Sequence, residues 1–293
     1  MKRLFIIGNG FDKDHGIQCD YKDLGNYLEE THWKFYNNIM NAFQQDNHLW
    51  ADFEALLPEC ATYIEESGIS MGQELISEID YDPCDDMSIG VWLKEQYDFI
   101  KQLPKVLRSW AEQIDIDKKP KYNFTDEDIF FSFNYTDTLE ILYGIEDVLH
   151  IHGDVGKKDI LIIGHGDTRD IEKAKEIIHN PRGEYNEYTI STFNAVKTYL
   201  ESTLKDTDAI IESHKKWFDG LIGIDEVYII GHSLGNVDLP YFKKINERIG
   251  EKAEWIICYH SKRDETKEKK LIDLGIKKVK SMAQTELYNV PEP

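Results

Sequence analysis

The sequence predicts an α/β protein: a Rossmann-like, mostly parallel sheet with helices on both faces and an inserted helical lobe. Three observations predict it. Short apolar runs bounded by turn residues recur at Leu4 to Ile7, Ile129 to Phe133, Val148 to Ile151, Ile160 to Ile163, Val227 to Ile230 and Trp255 to Cys258. They show little polar alternation, as expected of strands covered on both faces. Between them lie segments with apolar residues at three- and four-residue steps, and strands interleaved with helices give a parallel sheet. Finally, Tyr21 to Gln113 carries helical periodicity and almost no strand signal. Residues 21–113 are therefore expected to form a helical lobe inserted within one domain spanning residues 1–293.

Within the lobe, Leu93, Tyr97, Ile100, Leu103, Leu107 and Trp110 fall at helical steps, and Pro104 predicts a kink or break. Ser67 to Ile89, with Gly68, Gly72, Asp82, Pro83 and Asp85-Asp86, reads as a loop region because glycine and proline punctuate structure. A second helical stretch, about Asn186 to Phe218, places Phe193, Val196, Leu200 and Leu204 on one face. It separates the fourth expected strand from the fifth.

A chain of 293 residues can bury a core without covalent staples. Cys19, Cys60, Cys84 and Cys258 form no C-x-x-C pair, so neither a zinc site nor a disulfide framework is suggested, and a reducing compartment fits. The short apolar run that Gly8 stops is far too brief for a signal peptide or a membrane span, so a cytoplasmic protein with no membrane partner is expected. Fifty-five acidic against thirty-four basic residues give a net charge of -21, which repels polyanions. Direct nucleic-acid binding is not expected.

Four motifs carry candidate chemistry. Gly8-Asn9-Gly10-Phe11-Asp12 follows the first strand and precedes His15-Gly16-Ile17. Glycines at a strand-to-helix turn let backbone N–H groups approach a phosphate, although a tight turn without a ligand has the same letters. Asn134 ends the second strand, where open α/β sheets bind ligands; it reads either as a functional amide or as an N-cap for a helix near Thr136. His150-Ile-His152-Gly153-Asp154 ends the third strand, and His152 is a candidate general base. His150 and His152 could share a metal, but no carboxylate or cysteine sits at ligand spacing, so no metal is expected. Gly231-His232-Ser233-Leu234-Gly235, with Asp238 after it, has the letters of a G-x-S-x-G nucleophile elbow. A turn whose Ser233 and Asp238 hold a ribose explains the same letters.

Taken together, G-N-G-F-D at 8–12, F-N-Y-T at 133–136, H-I-H-G at 150–153 and I-I-G-H-S with the later Asp238 resemble the bacterial abortive-infection AbiH family, over nearly the whole chain. In order and spacing the set is also similar to a divergent sirtuin-type NAD-binding domain. That resemblance implies that Gly8, Gly10, Gly16 and Ile17 line the phosphate and nicotinamide side of NAD, with Asn9, Phe11 and Asp12 in the same turn. It implies catalytic roles for Asn134 and His152, and an approach to the adenosine by Gly231, His232, Ser233 and Asp238. Asn9 and Phe11-Asp12 depart from the small residues usual in the sirtuin turn, and the zinc cysteines of sirtuin deacylases are absent. The implied activity is an anti-phage effector that hydrolyses NAD, its substrate, at the nicotinamide–ribose bond without a metal, alone, as a homo-oligomer or with a defence-system partner. A nucleotide-binding sensor without catalysis and a Ser233 hydrolase are the alternatives.

Overall fold

The computed structural model describes residues 1–46, 48–77, 83–179 and 187–288. Strand β1 (Arg3–Ile7) and helix α1 (Asn9–Asp14) open the chain. Helices α2 (Tyr21–Thr31), α3 (Trp33–Ala42), α4 (Phe53–Leu56), α5 (Glu59–Ile76), α6 (Pro83–Tyr97) and α7 (Leu103–Ala111) follow. Next come β2 (Ile129–Ser132), α8 (Thr138–Tyr143), β3 (Val148–His150), α9 (Arg169–His179), α10 (Glu187–Ser202), α11 (Thr207–Ser213) and α12 (Lys215–Asp219). The order closes with β4 (Glu226–Ile230), α13 (Leu239–Ile249), β5 (Glu254–Tyr259), α14 (Glu265–Asp273) and β6 (Val279–Ala283). No helix among the described residues is long and apolar enough to cross a membrane.

These elements form two compact units, one of Met1–Asp20, Leu107–Ile162 and Asp206–Pro293, the other of Tyr21–Val106 and Ile163–Lys205. The first unit holds the sheet, in the order β3-β2-β1-β4-β5-β6 with every neighbouring pair parallel. This is the expected Rossmann-like architecture. Leu4 and Ile6 of β1, Phe131 of β2, Val227 and Ile229 of β4 and Trp255 and Ile257 of β5 pack against Phe218 of α12, Tyr241, Phe242 and Ile245 of α13 and Leu271 of α14. The alternate residues Phe5, Ile7, Phe130, Ile256 and Cys258 pack on the other face against Phe11 of α1, Leu139 of α8 and Tyr122 of the segment before β2. Side chains on both faces meet helices, which is why the strands read as continuous apolar runs.

Two strand assignments change. Ile160 to Ile163 is not a strand: Ile160 is 83 % exposed, and Ile162 N–H makes an isolated bond to the His152 carbonyl (2.9 Å). A short apolar run has no periodicity to separate a strand from an extended loop. β6, read as Val-Lys-Ser-Met-Ala, escaped notice because it is an edge strand, paired only with β5 and partly exposed along its length.

In the second unit, α10 packs against α5, α6 and α9, with Phe193, Val196 and Leu200 buried. The loop expected over Ser67 to Ile89 is helix through Ile76 and again from Pro83, while residues 78–82 lie outside the described residues. Gly68 and Gly72 are helix-interior residues: a Cβ on Gly68 would lie 2.3 Å from Thr192 Oγ1, and one on Gly72 would lie 2.1 Å from the Tyr188 ring. They permit the close crossing of α5 and α10, a need that looks like turn punctuation in sequence. Pro104 behaves as expected. Helix α6 stops at Tyr97, a 3₁₀ turn covers Asp98–Gln102, and α7 restarts with Pro104 in its first turn, where its missing N–H costs nothing.

Candidate active site

Chain order runs outward from β1 through β2 to β3 on one side and from β4 through β5 to β6 on the other, so the sheet reverses direction between β1 and β4. Open α/β sheets bind ligands beyond the carboxyl ends of strands at such a point. Four predicted segments meet there: the Gly8 turn after β1, Asn134 after β2, His152 after β3 and Gly231 to Asp238 after β4.

The glycines serve the approach of two backbones. Gly8 N–H donates to Ile230 O (2.9 Å) and Gly10 N–H to Gly231 O (2.8 Å). A Cβ on Gly8 would lie 2.6 Å from His232 Cα, and one on Gly10 would lie 2.7 Å from Gly231 Cα. The Gly8 and Gly10 N–H groups, two of those expected to cradle a phosphate, are thus engaged by the last residue of β4 and the residue after it. Phe11 turns its ring into the core, 5.0 Å from Tyr122 and 4.7 Å from His15. Asn9 is exposed, and its Oδ1 accepts from Cys19 Sγ (2.6 Å). Gly16 (φ +77°) makes the left-handed turn after α1 with open space where a Cβ would stand, and Ile17 packs with Cys19 and Ile116. Gly153 (φ +88°) abuts the Ile160 carbonyl, which would lie 2.7 Å from a Cβ there.

Asp12 is wholly buried, and Thr136 Oγ1 donates to its Oδ2, with Asn134 and Thr138 close by. Burial pushes its carboxyl up to about 6, against the pull of these neighbours. Because the folded form holds this proton more tightly than the unfolded chain, its contribution to stability is present below the unfolded value of 3.8 and is lost as pH rises through about 6. The loss is on the order of 3 kcal/mol for a shift of about two pH units. Asp12→Asn, which cannot ionise, is expected to flatten that part of the profile. Urea unfolding of both proteins at pH 4 and pH 7.5 measures it, and equal pH dependence in the two would refute it.

Asn134 is not a helix cap. Helix α8 begins at Thr138 with Asp137 at its N-cap position, and Asn134 Nδ2 donates to the Gly8 carbonyl (3.3 Å), joining the ends of β1 and β2. The Asn134 carbonyl lies 2.8 Å from His150 Nδ1, whose Nε2 is 3.0 Å from Glu140 Oε1. Burial alone would push His150 down, but the Glu140 bond and charge, the Asn134 carbonyl and Asp154 outweigh it and hold the imidazole above its usual value. Glu140, His150 and Asp154 present ligand atoms within 4.8 Å of one another, so these three could hold a cation. The sequence reading missed both carboxylates: Glu140 reaches the histidine only because α8 folds back over β3.

His152 packs against the rings of Phe133 (5.4 Å) and Tyr241 (5.8 Å), with Nε2 3.7 Å from Asp238 Oδ1. His232 lies on the other side of the same carboxylate, Nε2 3.4 Å from Oδ2, and packs on Phe133 at 4.1 Å. All three polar residues are buried. Ser233 is exposed, and among the described residues no histidine lies within hydrogen-bond reach of its hydroxyl, so the nucleophile–base contact of a serine hydrolase is not assembled.

The family model for bacteriophage abortive infection AbiH matches residues 4–259. The chain belongs to that family. No curated protein and no solved structure matches it. The matched AbiH span includes every strand-end residue described above, from Gly8 to Asp238, and it ends with β5.

Proposed function

We propose that this AbiH-family chain is an anti-phage effector that hydrolyses NAD at the nicotinamide–ribose bond. The observation that carries the reading is the convergence of Asn134, His152 and Asp238, all buried, at adjoining strand ends of the switch point. In the proposed reaction the C–N bond breaks with its electron pair going to nicotinamide, which leaves neutral. The ribose passes through an oxocarbenium-like state, water adds at the vacated carbon, and its proton goes to His152 and then to solvent. The products are ADP-ribose, nicotinamide and one proton. With Nδ2 committed to Gly8, Asn134 has Oδ1 to accept from a ribose hydroxyl or from the attacking water. Asp12, ionised above its elevated titration point of about 6, supplies negative charge behind Asn134 as the ring becomes cationic.

Incubating the full chain with NAD, with and without phage lysate, and following products by mass tests the reading. Equimolar ADP-ribose and nicotinamide are expected. NAD that is bound yet unchanged under both conditions would favour the sensor alternative.

Asn134→Asp adds a finer check. It places a second carboxylate against buried Asp12 and removes the donor to Gly8, so turnover is expected to fall by roughly 10²-fold or more. The variant is also expected to melt lower at pH 7.5 than at pH 5, relative to wild type, because one of two close carboxyls can stay protonated at the lower pH. Unchanged turnover would remove Asn134 from the reaction.

A further inference from the structure

We propose that Glu140, His150 and Asp154 bind one divalent transition-metal cation, of the Mn²⁺ or Zn²⁺ kind, which clamps helix α8 to the end of β3. All three residues belong to the unit that holds the sheet, and the side chains of His150 and Asp154 are each 2 % exposed. The imidazole is aimed by its other nitrogen. His150 Nδ1 lies 2.8 Å from the Asn134 carbonyl oxygen, which can only accept, so Nδ1 carries a proton and donates it there. Nε2 of the neutral ring is then a lone pair, and it faces a second acceptor, Glu140 Oε1, at 3.0 Å. An Nδ1–H bond to a backbone carbonyl that leaves Nε2 free is the usual support of a metal-ligating histidine.

Two acceptors this close need a positive charge between them. A proton supplies it for Nε2 and Oε1 but leaves the rest of the cluster unanswered. Glu140 Oε2 is buried and has no hydrogen-bond partner among the described residues, which costs free energy in a carboxylate. Asp154 Oδ1 accepts from Gly156 N–H (2.7 Å), while its Oδ2 has the half-exposed Lys157 Nζ only at 3.7 Å, beyond hydrogen-bond reach. Asp137 adds a third acid: a Cβ on Gly156 would lie 2.9 Å from Asp137 Oδ2 and 3.3 Å from Asp154 Oδ1. One cation touching Glu140, Nε2 and Asp154 answers the whole set. The three ligand atoms lie within 4.8 Å of one another. Ligands at right angles on one ion, with bonds of about 2.1 Å, stand about 3 Å apart, and Nε2 and Oε1 already do. Binding sends the proton shared by those two atoms to solvent. An imidazole beside two carboxylates suits a transition cation, whereas Mg²⁺ and Ca²⁺ favour oxygen alone. None of the three ligands has a role in the proposed NAD reaction, so the site stands or falls apart from that reading.

The test uses the full chain stripped of metal with EDTA. Calorimetry with MnCl₂ and, separately, ZnCl₂ at pH 7.5 is expected to show one equivalent bound at micromolar concentration, with a melting temperature that rises with added metal. Loss of the electron paramagnetic resonance signal of free Mn²⁺ gives the same stoichiometry independently. With a net charge of -21 the chain offers many exposed carboxylates, so substitutions must locate the ion. Glu140→Gln is the decisive one. Its side chain is 20 % exposed, and the glutamine amide can donate to the His150 lone pair, so the fold is kept while the charge is lost. Binding is expected to weaken at least about 10-fold in Glu140→Gln and in Asp154→Asn, and the metal-dependent rise in melting temperature should vanish in both. Should Asp154→Asn fail to fold, Glu140→Gln decides by itself. Metal bound as tightly by Glu140→Gln as by the unsubstituted chain sits on other carboxylates and overturns the assignment. No binding of either ion at millimolar concentration overturns it as well. Because the readouts are binding and melting, a chain that leaves NAD intact but binds one equivalent at these residues keeps the metal site and discards only NAD as the substrate.

Discussion

His152→Ala is expected to lower nicotinamide release from NAD by roughly 10²- to 10⁴-fold, the usual worth of a positioned general base. Unlike a free strand-end side chain, this imidazole is buried against Phe133 and Tyr241. Alanine therefore removes ring packing as well as the base, and a stability loss of about 1–3 kcal/mol accompanies the rate loss. The two effects separate in His152→Gln, which keeps much of the volume and a polar tip but cannot take a proton at neutral pH. If the glutamine variant melts near wild type and still releases nicotinamide at the wild-type rate, His152 is a core histidine and the proposed mechanism loses its base. Turnover should be read from initial rates at saturating NAD, so that a change in binding is not mistaken for a change in chemistry.

The sheet was legible because its strands are covered on both faces. Leu4 to Ile7 and Val227 to Ile230 fall within β1 and β4, which pair in the centre, where burial demands apolar residues at every position. At the edge that demand disappears, and β6 carries Lys280 and Ser281 in a strand whose pairing comes only from β5. Backbone pairing leaves no mark in a pattern of side chains. Gly68 and Gly72 misled for a related reason: the sequence records that a side chain is missing, but Thr192 and Tyr188, which fill the space, lie more than a hundred residues away.

Strand-end residues were legible in position but less so in purpose. Asn134, His152 and Asp238 each follow an apolar run, and the topology brings those ends together. What the residues touch depends on turns whose shapes are set by partners. Asn134 bonds the Gly8 carbonyl rather than an N–H of α8, because the chain covers three further residues before helical geometry begins at Thr138. Asp238 meets two histidines because the His232 ring is turned toward it by a bond from Leu234 N–H. Glu140 and Asp154 acquire interest only beside His150, and the spacing of ligands along the chain cannot report a contact made by folding a helix over a strand.

Gly231→Ala is expected to destabilise the chain by about 2–5 kcal/mol, a large part of the 5–15 kcal/mol that typically separates folded from unfolded protein. Two costs combine. Gly231 has φ +70°, where an L-residue is worse than glycine by roughly 1–2 kcal/mol. Its added Cβ would also stand 2.2 Å from Phe11 N and 2.4 Å from Gly10 C, main-chain atoms with no rotamer to escape into, and forced overpacking costs about 1–3 kcal/mol. Gly16→Ala is the matched control: its φ is +77° but no atom lies within 4 Å of the added carbon, so only the first cost applies. The same contact decides the outcome of Gly10→Val. Its β-branched side chain would meet Gly231 Cα at 2.7 Å, so stability is expected to fall before any effect on a nucleotide can be read. Urea midpoints of the three variants measure the ranking, with Gly231→Ala and Gly10→Val far below Gly16→Ala. Equal midpoints for Gly231→Ala and Gly16→Ala would mean that the turns after β1 and β4 are not locked against each other, and the fixed geometry assumed for Asn134, His152 and Asp238 would lose its support.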